Sequence, residues 1–187
     1  MWEIMKGDLK LNNKSNVTLS IDTAIFNEIK KYAEDQGQSV NALLNTVLTK
    51  YVLLYGPAEV QEGMLVPHKF FSGLLKYIPD DDLLELIHED GFEAIRSIFV
   101  QGGISFSIDN MITYVFERIA LWAGTYYKFR SYHDDDGWLC LAFEHSYGIK
   151  WSKALGESLS IIIKEILNHD SEHKITASTT LIRVNVK

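Results

Sequence analysis

The stretch that decides the fold is Asn16-Val-Thr-Leu-Ser-Ile-Asp22. Val17, Leu19 and Ile21 alternate with polar residues, which is the period-two pattern of a β-strand with one buried face. A single strand leaves that apolar face and its backbone hydrogen-bonding groups uncovered. The pattern therefore predicts a strand over residues 16–21 that pairs with a second strand.

Two helices are predicted directly after this strand. Asp22 offers an N-cap for a helix over residues 23–36, and Ser39 offers one for a second helix over residues 40–55. Gly37 separates the helices, and Gly56-Pro57 ends the second. Because one strand and two helices cannot bury their own apolar residues, we expect two copies to pair antiparallel into an intertwined homodimer.

The order and spacing of these elements over residues 16–55 resemble the ribbon-helix-helix family of DNA-binding proteins. The matching stretches are Val17-Thr-Leu-Ser-Ile-Asp22, Glu34-Asp-Gln-Gly37 and Gln38-Ser-Val-Asn41. The resemblance implies a homodimer whose two-stranded ribbon enters the major groove of double-stranded DNA.

The resemblance also implies which residues contact DNA. The outward face of the ribbon reads bases, and the start of the second helix binds phosphate, where free N–H groups and the helix dipole favour an anion. Lys14, in the preceding arm, adds positive charge. The base-reading positions are Asn16, Thr18 and Ser20, and the phosphate positions are Ser39, Val40 and Asn41.

These polar residues have a simpler alternative interpretation. Thr18 and Ser20 are short and uncharged where the family often carries Arg or Lys, so they are expected to discriminate bases poorly. Both are also ordinary solvated strand residues, and Ser39 is explained by helix capping alone.

The distribution of charge favours the N-terminal segment as the DNA-binding part. The chain carries 18 basic and 25 acidic side chains, a formal net charge of −7. Residues 1–56 contain six of each sign, so the whole negative balance lies in the remainder. An acidic surface repels phosphate backbones, and we expect no DNA contact from it.

The sequence predicts an α+β protein with two domains. Residues 1–56 form the ribbon-helix-helix domain, and residues 57–68, with Pro57, Gly63 and Pro67, form a linker. Residues 69–187 form a larger α+β domain with helices followed by a β-β-α-β unit. Its predicted helices cover 70–78, 83–89, 92–100, 111–123 and 149–168, and its predicted strands cover 126–133, 138–145 and 174–186.

One segment of the second domain resembles a further family. Phe143-Glu-His-Ser-Tyr-Gly-Ile-Lys-Trp-Ser152 is similar to a strand-to-helix junction in sensor domains of the four-vinyl-reductase and haem–nitric-oxide-binding kind. The resemblance implies a module that senses a small molecule or docks a protein. His145, Tyr147 and Trp151 are then the expected ligand-binding residues, although a lone histidine at a strand end more often has a structural role.

The remaining reactive residues form no recognisable constellation. Asp134-Asp-Asp-Gly137 lacks the spacing of a calcium loop and fits an exposed turn, and Cys140 has no placed base beside it. We therefore expect no enzyme activity, no metal and no cofactor. No apolar run approaches the ~20 residues of a membrane span, and no signal peptide is visible, so a cytoplasmic location is expected.

Together these observations predict a homodimeric transcriptional regulator, in which the ribbon reads DNA and the second domain binds an effector or enlarges the oligomer. The alternative is a protein-interaction module that uses the N-terminal segment only for dimerisation. DNA binding with a steep salt dependence separates the two.

Overall fold

The computed structural model describes residues 15–56, 66–120 and 123–186. They fall into two compact units, the N-terminal unit (residues 15–56) and the C-terminal unit (residues 66–186). None of the helices in these ranges combines the length and the apolarity needed to cross a membrane.

The first helix of the N-terminal unit, α1, spans Thr23–Asp35. Asp22 begins it as the sequence predicts, because its carboxylate accepts the N–H groups of Ala24 at 2.8 Å and Ile25 at 3.4 Å. Gly37 follows the helix with a φ of 64°, a left-handed conformation that glycine adopts without strain.

The second helix, α2, spans Val40–Lys50 and begins at Ser39, whose hydroxyl accepts the Ala42 N–H at 3.2 Å. A π-helical turn over Tyr51–Tyr55 continues it. Both predicted helices are therefore present, and the second changes its winding over its last residues.

The predicted strand over residues 16–21 is not a strand in the single chain. Residues 15–22 have no regular secondary structure. The physical reason is that a strand is defined by hydrogen bonds to a neighbour, and the described residues of the N-terminal unit supply none.

The C-terminal unit combines helices with one four-stranded antiparallel sheet, so the chain has an α+β fold. The strands are β1 (Lys128–His133), β2 (Leu139–Glu144), β3 (Ser171–Ile175) and β4 (Thr179–Val184). Their spatial order is β1-β2-β4-β3. The turn 134–137 joins β1 to β2 with Gly137 at a φ of 80°, as the sequence predicts.

The prediction of one last strand over residues 174–186 is wrong, because the segment forms the β3–β4 hairpin, closed by Thr176 N–H on Thr179 O at 2.8 Å. The unit is therefore β-β-α-β-β. β3 alternates half-buried and exposed residues at the sheet edge, which gives it too little apolar patterning to be recognised from sequence.

The core lies between one sheet face and the helices. The helix α6 (Ile149–Leu167) packs on that face, and α4 (Asp80–Gly102), which follows the short α3 (His68–Leu74) in the chain, packs on α6. A π-helix over Met111–Ala120, entered through the short α5 (Ile108–Asn110), closes the core. The most deeply buried side chains of this core are Phe99, Met111, Phe116, Leu141, Phe143, Ile162, Ile163, Ile182 and Val184.

The two short helices predicted over 83–89 and 92–100 are one helix, α4. Gly91 does not break it. A Cβ at Gly91 would lie 3.2 Å from Ile162 Cδ1, so this glycine lies where α4 approaches α6 closely. The close packing of α4 on α6 thus explains why this helix contains Gly91, although glycine has a low helix propensity.

Candidate functional site

The candidate DNA-binding residues lie on exposed backbone of the N-terminal unit. Asn16, Thr18 and Ser20 are exposed, in a segment with no regular secondary structure. The apolar residues between them are exposed as well, Val17 by 73% and Leu19 by 55%. Neither face of the segment is covered within the described residues. Lys14 lies outside the described residues.

The candidate phosphate-binding residues lie together at the start of α2. The Ser39 hydroxyl accepts the Ala42 N–H, and the Leu43 N–H bonds the Ser39 carbonyl at 3.0 Å. The backbone N–H groups of Val40 and Asn41 precede these bonds and belong to the first turn, where a helix lacks internal acceptors. The capping role of Ser39 is thus present, and its hydroxyl hydrogen is not used by the cap.

The candidate ligand-binding residues of the C-terminal unit meet at the junction of β2 and α6. His145 is 1% exposed. Its Nδ1 accepts the Tyr147 N–H at 3.3 Å, so its Nε2 carries the proton and donates to Ser152 Oγ at 2.8 Å. The Ser152 hydroxyl donates in turn to the Thr176 carbonyl at 2.6 Å.

This chain of hydrogen bonds uses both ring nitrogens of His145. Burial lowers the pKa of His145 and keeps the ring neutral. Thr180 adds a bond from its hydroxyl to the Ser152 carbonyl at 3.1 Å. These hydrogen bonds connect the end of β2, the start of α6 and the β3–β4 turn, so the role of His145 in this network is structural.

Tyr147 and Trp151 belong to a neighbouring aromatic cluster. Tyr147 stacks on His68 with ring centroids 4.7 Å apart, and Phe71 meets both Tyr147 and Trp151 edge-on at 5.2 and 5.4 Å. The Tyr147 hydroxyl donates to Gly124 O at 2.7 Å, and the Trp151 indole donates to the Thr125 carbonyl at 3.2 Å. The three predicted residues are thus adjacent, and each polar tip has a partner within the unit.

The acidic turn between β1 and β2 is matched by a residue that sequence reasoning missed. Arg183, on β4, bonds Asp134 and Asp136 of the turn and Glu172 of β3. Its guanidinium also lies 5.1 Å from the Trp138 ring centroid. The cation that these carboxylates bind is therefore a side chain of the same sheet. The sequence offered one signal for this role, because Arg183 is the only charged residue in β4, whose other residues are apolar or carry hydroxyl groups.

The electrostatics of this cluster follow from Arg183. Desolvation raises the pKa of Asp134, but the hydrogen bond and charge of Arg183, with N–H donors of the turn, outweigh it and lower this pKa. Cys140 lies opposite Arg183 in the register and is buried. Burial, then the Asp134 charge, raises the pKa of the Cys140 thiol, which makes it a poor nucleophile.

Within residues 15–56, 66–120 and 123–186, no group of three or more His, Cys, Asp or Glu side chains is arranged to hold a metal ion. A scan against protein-family models finds no match, and neither do comparisons with curated proteins and with solved structures. We therefore infer function from the geometry and chemistry of the described residues.

Proposed function

We propose that this chain is a homodimeric DNA-binding transcriptional regulator of the ribbon-helix-helix type. Residues 16–21 of two copies pair into a ribbon that reads double-stranded DNA, and the C-terminal unit serves as an effector or oligomerisation domain. One observation carries the proposal. Ala33 is the only buried side chain among those described in the N-terminal unit.

The exposed apolar residues of this unit favour association with a second copy of the chain. They lie on the extended segment and on both helices. Burying one such side chain contributes roughly 1.5–3 kcal/mol, so several together make a strong drive towards association. An antiparallel pair of residues 16–21 would also satisfy the backbone N–H and C=O groups of this segment that have no partner among the described residues. The exposed set is Val17, Leu19, Ile25, Phe26, Tyr32, Val47, Leu48, Tyr51 and Val52.

The side chains that such pairing leaves on the outer face of the ribbon are suited to contact DNA. With Val17 and Leu19 turned inward, Thr18 and Ser20 lie on the opposite, polar face. The start of α2 then offers the Val40 and Asn41 N–H groups and the Ser39 hydroxyl to a phosphate. This combination of a short polar ribbon and a helix N-terminus supports DNA as the ligand.

The alternative function is a protein-interaction module in which residues 16–55 only dimerise. The absence of Arg and Lys from residues 15–22 favours it, because such side chains supply most of the salt-dependent affinity for DNA.

Two measurements on the full chain test the proposal. Light scattering should report a dimer at micromolar concentration, and DNA selected from a random pool should bind with an affinity that falls steeply as salt rises. A stable monomer overturns the ribbon-helix-helix assignment. A dimer that selects no DNA, even at low salt, overturns the regulator and leaves the interaction module.

A further inference from the structure

Ser146 and His68 form an exposed hydroxyl–imidazole pair in the C-terminal unit. The Ser146 Oγ and the His68 Nε2 lie 2.8 Å apart, and both residues are exposed. They are 78 positions apart in the chain, so only the fold brings them together. A serine hydroxyl within hydrogen-bond reach of a histidine nitrogen is the arrangement that activates a serine as a nucleophile. This pair is in addition accessible to a substrate from solvent.

Ser146 lies on the short turn that joins a strand to a helix. β2 ends at Glu144, and α6 begins at Ile149. Gly148 has a φ of 91°, which glycine adopts without strain, and a Cβ added there would meet nothing within 4 Å. A strand-to-helix turn is a position from which a serine can present its hydroxyl ahead of a helix N-terminus. The turn also leaves open space two residues after Ser146.

The first turn of α6 offers hydrogen-bond donors for a negatively charged oxygen. No side chain caps the start of this helix of 19 residues, and the N–H groups of Ile149 and Lys150 have no acceptor among the described residues. Such N–H groups, together with the helix dipole, stabilise the oxyanion that forms when a nucleophile attacks a carbonyl carbon. They follow Ser146 by three and four positions, so the nucleophile and the donors belong to the same short segment.

Aromatic contacts hold the His68 ring in place. Tyr147 stacks on it with ring centroids 4.7 Å apart and an interplanar angle of 26°, and Phe71 meets Tyr147 edge-on. A hydrogen bond of 2.7 Å from its hydroxyl to a backbone carbonyl fixes Tyr147 in turn. Among the described residues the one histidine–carboxylate pair is His88–Glu165, so stacking rather than a carboxylate orients His68.

We infer that Ser146 and His68 form a slow esterase site, in which Ser146 is the nucleophile and His68 is the general base and acid. Without its carboxylate, a serine protease loses about 10⁴ in kcat, so turnover at this pair is slow. Carboxylic esters fit such a weak pair better than amides do, because an alcohol leaves a tetrahedral carbon more readily than an amine. The inference is independent of the proposed DNA binding.

The reaction uses the pair twice. The Ser146 Oγ attacks the ester carbonyl carbon while its proton moves to the His68 Nε2, and the carbonyl π electrons become the oxyanion that the N–H groups of α6 stabilise. The oxyanion collapses, the bond to the alcohol oxygen breaks, and His68 gives that oxygen its proton. Water then attacks the acyl-serine as His68 takes a proton from it. The second collapse releases the carboxylic acid, and His68 returns the proton to the Ser146 Oγ.

Labelling of the full chain with a phosphonofluoridate tests the nucleophile. This reagent attaches a phosphonyl group to an activated serine oxygen and releases fluoride, and mass spectrometry locates the adduct. We expect the adduct on Ser146. His68→Gln removes the base and should slow the labelling at least about 100-fold. Ser160 is the matched control, because its Oγ lies 3.2 Å from the His173 Nδ1 in a partly buried pair and should stay unlabelled.

Hydrolysis of p-nitrophenyl acetate gives a second measurement. Ser146→Ala and His68→Gln should lower the rate to the same level, because the two residues act as a unit. His133→Gln, at an exposed histidine of β1, should keep the full rate, and thermal midpoints check that each variant is folded.

Two results would overturn the esterase inference whatever the DNA measurements show. One is a Ser146 that the phosphonofluoridate does not label, or labels equally fast in His68→Gln. The other is a hydrolysis rate that Ser146→Ala leaves unchanged. In either case the contact between Ser146 and His68 is a structural hydrogen bond alone.

Discussion

Arg183 on β4 clamps Asp134 at the far end of the sheet, with its Nη2 2.5 Å and its Nε 2.8 Å from the same carboxylate oxygen. The two residues are 49 positions apart, and the antiparallel register of β2 and β4 brings them together. Asp134 also accepts the Trp138 N–H at 2.9 Å, which fixes the turn. One side chain thus holds the acidic turn against two strands.

The first prediction concerns the loss of the ion pairs that Arg183 makes with these carboxylates. Arg183→Met keeps an unbranched stem but leaves Asp134, Asp136 and Glu172 without their shared positive partner. We expect a lower thermal midpoint, measured at low salt, because a half-buried ion pair loses one partner while the others repel. Arg130→Met is the control, since the Arg130–Glu144 pair lies on the same sheet but Arg130 is far more exposed. Equal effects of the two changes would contradict the clamp.

The second prediction concerns the buried histidine. Because burial lowers the pKa of His145 in the folded state, the unfolded chain binds this proton at a higher pH than the folded chain does. The free energy of unfolding should therefore fall as the pH drops through and below about 6.5, the ordinary value for histidine. Urea unfolding at pH 7.5 and pH 5.5 measures the fall.

The comparison variants isolate His145 from the other titrating groups. His145→Gln removes the buried imidazole, so its loss of stability between the two pH values should be smaller than that of the unsubstituted chain. His133→Gln, at an exposed position of β1, should keep the full loss. An unchanged pH dependence in His145→Gln would show that the ring does not stay neutral and buried.

The third prediction uses two serines on the same helix. Ser152 and Ser158 of α6 are both fully buried, but Ser152 bridges His145 and Thr176, whereas the Ser158 hydroxyl has no hydrogen-bond partner among the described residues. Ser152→Ala should cost about 1–3 kcal/mol of unfolding free energy, because it leaves the buried His145 Nε2–H donor unpaired. Ser158→Ala should be neutral or stabilising. Denaturant unfolding measures both, and a similar cost for the two would argue against the bridge.

The parts of the fold that were predictable depend on local sequence. Asp22 and Ser39 cap their helices, and Gly37 and Gly137 take left-handed backbone, because each signal acts within a few residues. The division of α4 into two predicted helices was wrong. Only the packing of α4 on α6 shows why one helix runs through Gly91.

The site geometry was less predictable, because its contacts join distant segments. His145, Tyr147 and Trp151 were identified and are adjacent. Their partners Ser152, Thr176 and His68 were missed, since strand register and helix packing place them there. Arg183 was missed for the same reason. The alternation of residues 16–21 indicates that the segment needs a partner, but the described residues of the chain supply none.

The fourth prediction tests the ribbon as the reader of DNA. Thr18→Ala and Ser20→Ala should change the sequence preference of the dimer without unfolding it, because both positions are exposed. Lys14→Ala should instead weaken binding to all sequences and reduce the salt slope by about one. Titrations of selected and scrambled DNA at several salt concentrations measure these effects. If none of the three changes alters binding to selected DNA, the ribbon is not the reader.

The last prediction separates the two interpretations of Ser39. Ser39→Ala and Asp22→Ala each remove a helix N-cap and should each cost about 1 kcal/mol of stability. Only Ser39 lies at the proposed phosphate contact, so Ser39→Ala should also weaken DNA binding, to selected and scrambled sequences alike, when both variants are measured fully folded. Asp22→Ala removes a negative charge and should leave the affinity unchanged or slightly higher. Equal affinities for Ser39→Ala and the unsubstituted chain, with the stability loss present, would make Ser39 a cap alone and place the phosphate contact elsewhere.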